Sequence, residues 1–412
     1  MYSEGGKMEK EFIRETEHTI TLNVTSGQID SYRELEKTTG TVRVYDNGCI
    51  GVAGCLGEPD EEALTAQAVE ALSFGISYPC ELEGAAEITE LHDDEIIPVS
   101  DFIPTMTDFL KRMGEQCPKM ALSNKITIEY GRTEYRNSLG RHLLSSGGHL
   151  SIALLGQNRG SGNLFDIVFA WQGEHFDADM ILERFKMQYD AFYTPADIEP
   201  GRWPVVAMYQ DLFGTTLQHF IGDLYAAGAS LLSGKLGEKV FSDKLTLCDD
   251  MNPDTSFSPC FFDSEGCVAK DYRPVFIENG VLKALVTTKK TAAQYGLPNP
   301  GTATAPYDGV PNFGFHGFYT KKTAETIEEL VPGKAVFMMI ASGGDTTPDG
   351  HFATPVQLAF LMENGKIVGR LPEISIGGNF FDMLGKDYIG TVHDWPFKKL
   401  QLTAVMMDIK KN

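Results

Sequence analysis

The chain has 412 residues, of which 42% are hydrophobic and 10% aromatic, and its formal net charge is -22. That length buries a large core and suggests roughly two or three domains. The acidic balance excludes a duplex-binding surface, which demands clustered Lys and Arg, and is read as a solvated surface. No apolar run approaches the ~20 residues of a membrane span. The N-terminal MYSEGGKMEKEF lacks the apolar core of a signal peptide. The seven cysteines are scattered, without a Cys-x-x-Cys, which implies reduced thiols and a cytoplasmic location.

From Thr19 to Gly54 apolar residues alternate, at Ile20, Leu22 and Val24 and again at Val42, Val44 and Tyr45. Thr25-Ser26-Gly27 and Asp46-Asn47-Gly48 separate the runs, and Asn-Gly between apolar strands predicts a hairpin. Asp60-Glu61-Glu62 opens a helix with acids at its positive end. Leu64, Ala68, Ala71 and Leu72 give its buried face, and Gly75 ends it. The acidic stretch over residues 79–104 reads as a solvated connection, followed by a helix over 107–117. Alternating segments at 125–130, 133–137, 149–155 and 165–171 predict an antiparallel meander. Asp177 starts a helix with Met180, Ile181, Phe185 and Tyr189 on its apolar side. Pro195, Pro200 and Pro204 then place a domain boundary near residue 198.

Residues 202–250 read as strand, long helix, charged turn and strand. Leu217, Phe220, Ile221 and Leu224 recur at helical spacing and make a buried stripe. Thr216, His219 and Asp223 fall on another face, with Gln218 beside His219. Polar groups on a core helix are costly unless paired, so that face lines a cavity or meets water. Strands dominate the remainder, with hairpins around Glu278-Asn279-Gly280 and Glu363-Asn364-Gly365 and a final strand over residues 400–409.

The central stretch resembles that of the TldD/PmbA family, the so-called modulators of DNA gyrase. Peptidase members carry His-Glu-x-x-x-His on this helix, where two histidines hold zinc and the glutamate activates water. Here Gln218 stands for the first ligand, His219 for the glutamate and Asp223 for the second histidine. A neutral amide is a poor zinc ligand, and histidine is not a drop-in carboxylate base. GTVRVYDNGCIGVAG resembles the family's glycine-rich strand pair, and EISIGGNFFDMLGKDYIGTVHDW its closing strand and Gly-Asn turn. The resemblance runs from about residue 18 to residue 410. Peptidase members supply a further ligand from a Cys-Gly-Lys-x-Gly-Gln segment. Here Asp394-Trp395-Pro396-Phe397 leads into the last strand, and no cysteine follows Cys267. The chain therefore resembles the PmbA branch, also called TldE, which lacks the zinc motif and pairs with a TldD-like partner.

The expected fold is α+β. A strand-helix domain occupies residues 18–100, a meander with helices 101–198, and a large, mostly antiparallel domain with the central helix 199–412. The resemblance implies a non-catalytic subunit of a metallopeptidase assembly that cleaves short or unfolded peptides. It implies zinc in the TldD-like partner and no cofactor, catalytic residue or metal in this chain. Two alternatives stand beside it. One is a self-sufficient peptidase with an unorthodox metal site at His219, Asp223 and His316. The other is a homodimeric peptide-binding or regulatory protein; neither nucleic acid nor membrane is an expected partner. His219 and Asp223, four apart on a helix, are expected to touch, as a hydrogen-bonded pair left where a zinc site once stood. His316 among aromatics is expected to be structural, and His351 a turn residue. Ser342-Gly343-Gly344-Asp345 lacks the Lys-Ser/Thr ending of a phosphate loop. Lys235, Lys239 and Lys244 read as a solvated face.

Overall fold

The computed structural model describes residues 8–256, 260–393 and 401–411. It shows a mixed α+β fold. Three long strands open it: β1 (Glu9–Thr25), β2 (Gln28–Asp46) and β3 (Cys49–Leu56). Helix α1 (Glu61–Ala71) and the short β4 (Ile76–Ser77) and β5 (Ala86–Leu91) follow. Next come α2 (Val99–Gln116), β6 (Met120–Asn137), β7 (Arg141–Asn158), β8 (Ile167–Gly173) and α3 (Ala178–Phe192). Among the described residues these strands form one eight-stranded sheet in the order β4-β3-β2-β1-β6-β7-β5, with β8 also on β7. The segments expected as separate units at 18–100 and 101–198 thus contribute to the same sheet, because β1 pairs with β6 from Glu11 to Val24.

Period-two alternation assigns the faces. Ile20, Leu22 and Val24 of β1, Ile126 and Ile128 of β6, and Leu150, Ile152 and Leu154 of β7 join α2 and α3 in one core. Asp60 caps α1 by accepting from the backbone N–H of Glu62 and Ala63, and Gly75 ends the following turn with φ of 63°. The expected N-terminal helix is therefore present. Helix α2 starts earlier than expected, at Val99, with Pro104 inside it. Its stripe of Phe102, Met106, Phe109, Leu110 and Met113 is fully buried, which outweighs the ~3 kcal/mol proline penalty. The two strands expected at 125–130 and 133–137 are one, since β6 runs through Gly131 without a register shift.

The chain then forms β9 (Gly201–Met208), α4 (Tyr209–Phe213), a 3-10 segment over Gly214–Phe220 and α5 (Gly222–Ala226). Short elements follow: β10 (Leu247–Asp249), β11 (Val275–Glu278), β12 (Val281–Leu282), α6 (Lys289–Tyr295), β13 (Ala303–Thr304), β14 (Asn312–Phe313) and β15 (Phe318–Thr320). Helix α7 (Ile327–Leu330) leads to β16 (Lys334–Ala341), β17 (Asp345–Thr346), β18 (His351–Glu363), β19 (Lys366–Arg370) and β20 (Ile374–Asn379). Last come α8 (Phe380–Leu384), β21 (Tyr388–Val392) and β22 (Leu402–Lys411).

The order β16-β9-β22-β20-β18 closes on itself, because β16 also pairs with β18. Residues of this ring are buried on both faces. Val205 and Ala207 face an inner core with Val336, Met338, Val405 and Met407. Val206, Phe337, Phe360 and Ala404 join the core of the first sheet. Burial on both sides explains why these strands read as continuous apolar runs rather than alternations. Asn47-Gly48, Asn279-Gly280 and Asn364-Gly365 all have positive φ at both residues, the hairpin geometry expected of Asn-Gly.

The acidic stretch over residues 79–104 is more than a solvated connection. Within it β5 pairs in parallel with β7, and Glu83 lies 3.3 Å from the buried Lys289 ammonium. The expected Asp394-Trp395-Pro396-Phe397 passage lies outside the described residues.

Candidate functional site

The segment expected as one long helix is broken at Ile221, which is extended with ψ of 122°. A bridge to Val286 competes for its backbone. Gly222 N–H donates to Val286 O at 2.9 Å, and Val286 N–H donates to Phe220 O at 2.8 Å. A Cβ on Gly222 would lie 2.7 Å from the Thr287 methyl, so only glycine fits without a shift. Two hydrogen bonds to Val286, distant in sequence, and close packing replace the helical bonds here.

This break corrects the expectation that His219 and Asp223 touch. His219 Nδ1 accepts from Leu231 N–H at 3.3 Å, and its ring lies 5.8 Å from that of Phe380. Burial lowers the pKa of His219. Asp223 accepts instead from the Thr291 hydroxyl at 3.1 Å, and Gln218 is exposed. Among the described residues, no three His, Cys, Asp or Glu side chains are grouped to hold a metal ion. With an exposed amide and a ring nitrogen already engaged by backbone, these three positions do not fit a zinc ion.

His316 is brought into a different constellation. Asp249, fully buried at the end of β10, accepts from His316 Nδ1 at 2.8 Å and from the backbone N–H of His316 and Gly317 at 2.9 and 3.0 Å. Burial alone would lower the histidine pKa, but the Asp249 hydrogen bond and charge, with Asp263 beyond, leave it raised. No hydrogen bond or ion pair among the described residues joins it to His219 or Asp223.

A buried polar seam ties the first sheet to residues 260–290. Glu11 accepts from Tyr135 at 2.7 Å and Tyr45 at 2.9 Å, and its carboxylate lies 3.4 Å from the Arg43 guanidinium. Arg43 also donates to Ser264 O. Glu265 accepts from the Tyr78 hydroxyl at 2.6 Å and Lys289 N–H at 2.9 Å. Burial, and then the charge of Asp263, push its carboxyl up to about 8. Burial also pushes the thiols of Cys80, Cys117, Cys248 and Cys260 up to about 12, which disfavours the nucleophilic thiolate.

Beside this seam, the face of the first sheet away from α2 and α3 carries an open trough of about 360 Å³. Glu15, Glu17, Glu129 and His149 line it, and the cross-strand pair Gly131 and Gly147 leaves its floor bare. Glu15, Thr133 and Cys260 continue into a second cavity of about 210 Å³, reached by Arg43, Asp263 and His316. Gln218, His219 and Asp223 line neither. The trough escaped sequence reading because its residues come from five separated segments. For the support of His316, one local signal was Asp249-Asp250, two acids closing an apolar strand with no turn glycine.

The PmbA/TldA metallopeptidase C-terminal domain profile matches residues 201–399. A metalloprotease of Archaeoglobus fulgidus is 25% identical over 404 residues, spanning 92% of this chain and 91% of the relative. A zinc metalloprotease TldD homolog of Saccharolobus solfataricus is 25% identical over 65% of this chain and 64% of its own length. Among solved structures, TldE from Thermococcus kodakarensis superposes with a TM-score of 0.76 at 19% identity, covering 97% of this chain and 96% of that one. At that identity the superposition establishes the fold. Fold and profile together define a metallopeptidase-like class. The domain match and these likenesses support membership of the TldD/PmbA family.

Proposed function

We propose that this chain is the non-catalytic, PmbA/TldE-like subunit of a TldD/PmbA-type metallopeptidase assembly acting on short or unfolded peptides. The observation that carries this reading is the break at Ile221. It turns His219 toward Leu231 and Asp223 toward Thr291, at the positions where peptidase members hold zinc. In this reading zinc and the activated water belong to a TldD-like partner. This chain contributes walls and strand edges to an enclosed chamber. The first part of β2 supports such a role, because β3 covers only Thr39–Asp46. Residues 28–37 therefore pair with β1 alone among the described residues, and an extended peptide can add to an open edge.

The test is peptidase activity and metal content of the purified chain, alone and after capture from its native cells. The expected outcome is substoichiometric zinc, no chelator-sensitive cleavage alone, and a stoichiometric TldD-like chain in the captured complex. One tightly held zinc per chain, with cleavage abolished by both chelator and His219→Ala, would overturn the reading in favour of a self-sufficient peptidase.

A further inference from the structure

The second cavity holds an imbalance of hydrogen-bonding capacity. The Asp263 carboxylate is fully engaged by backbone. It accepts from Glu265 N–H and Cys267 N–H at 2.9 Å each and from Ala303 N–H at 3.0 Å. Glu15, shared with the trough, accepts from the Thr39 hydroxyl at 3.3 Å. The cations are not engaged to the same degree. His316 uses Nδ1 on Asp249, and Nε2 has no hydrogen-bond partner among the described residues. Arg43 directs Nη1 at both Glu11 and Ser264 O, while its Nε, like Ser264 Oγ, is buried without a partner. Guanidinium carries five N–H donors and an imidazolium two. The charges of Arg43 and His316 are balanced by Glu11 and Asp249, so what the cavity has to offer is unmatched donors, Arg43 Nε and Ser264 Oγ, while Asp263 has little acceptor capacity left to meet them.

We infer that this cavity, where His316 stands on Asp249 beside Arg43, binds a carboxylate, and that its ligand is the C-terminal carboxylate of a peptide lying in the adjoining trough. Its volume of about 210 Å³ holds several waters or one terminal residue. Asp249 fixes the imidazole with Nδ1 inward, which leaves Nε2 free, and in the protonated ring that Asp249 favours Nε2 is a donor. Charge-assisted bonds from imidazolium to carboxylate are among the stronger ones available. The trough and this cavity share Glu15, Thr133 and Cys260, so an extended chain lying over Gly131 and Gly147 can place its end where the donors are. The inference rests on the peptide-handling reading above, but not on the absence of zinc.

The test uses the full chain, with fluorescein-labelled trialanine as free acid and as C-terminal amide, followed by fluorescence anisotropy. The free acid is expected to bind about tenfold or more tightly than the amide. His316→Gln is expected to erase that preference, and Ala305→Phe, which places bulk in the loop lining the cavity, to weaken the free acid alone. Thermal melts of both variants establish that they fold. Equal binding of acid and amide would overturn the inference and leave the peptide reading intact, as would a preference that survives both folded variants. Acetate shifting the His316 imidazole resonances while neither peptide binds would overturn the peptide terminus as ligand and remove the peptide reading with it.

Discussion

Strand β6 pairs with β1 over residues 124–137 and with β7 over residues 120–136, with no register shift on either side. Residues 209–330 are built differently. Their longest described elements, Gly214–Phe220 and Lys289–Tyr295, have 7 residues each. In the first sheet, alternation buries one face and ladder bonds satisfy the backbone. In the irregular region, buried carboxylates do that work. Asp249 accepts from two backbone N–H groups and Asp263 from three. Asp250 accepts from Asn252 N–H and pairs with Arg273 at 3.2 Å. Buried backbone must be satisfied somewhere, and where no neighbouring strand is present a side chain substitutes for it.

That contrast makes graded predictions. Asp263→Ala strands three buried N–H groups at about 1–3 kcal/mol each, so a loss of roughly 5 kcal/mol is expected by denaturant melting. Phe169→Ala, in the core of the first sheet, is expected to cost about 3–5 kcal/mol. If Asp263→Ala costs only a fraction of Phe169→Ala, the carboxylates are not structural substitutes for strands and the comparison fails. Asn279→Ala, at a residue with φ of 48°, is expected to cost about 1–2 kcal/mol. Asn47→Ala, with φ also 48°, should match it, since the turn chemistry is common to both regions.

Two further predictions concern pH and are smaller. Glu265 has its pKa raised from 4.5 to about 8. The stability it contributes is complete below its unfolded value and is lost as pH rises through about 8. Glu265→Gln removes that titration, so the stability of the variant relative to the parent should rise between about pH 5 and about pH 9. His219 has its pKa lowered from 6.5 by burial. Its contribution is present above the unfolded value and is lost as pH falls through the folded one. Protonation of Nδ1 also removes the acceptor for Leu231 N–H. Melting curves of His219→Gln should therefore flatten on the acidic side alone.

Much of the first sheet was legible in the sequence, because Ile20, Leu22 and Val24 alternate and Asn47-Gly48 dictates its turn. Helix α1 was legible from Asp60 at one end and Gly75 at the other. The family was legible from the order of several weak motifs. Helix α2 was misjudged at Pro104, since local propensity says nothing of the apolar area its first turns bury. The break at Ile221 was not legible. Leu217, Phe220, Ile221 and Leu224 keep helical spacing, and the competing partner, Val286, lies far along the chain. The site suffered most from this. His316 was noticed, but Asp249, Asp263 and Arg43 carry no spacing that links them, and they meet only through the packing of the first sheet against residues 260–316.

The ring of strands also constrains the order in which the protein is made. Strand β22 lies between β9 and β20, pairing with β9 from Leu402 to Ile409 and with β20 through its last residues. While the ribosome is still adding residues 402–411, β9 has no neighbour on that side and the barrel cannot close. The nascent chain therefore carries an apolar strand with an open edge from the synthesis of β9 until that of β22. Its first sheet, complete by Gly173, is free to fold early. Unpaired edges of this kind are where newly made chains aggregate. A stalled or truncated product lacking β22 should accordingly be captured by chaperones, although both strands that flank β22 are present.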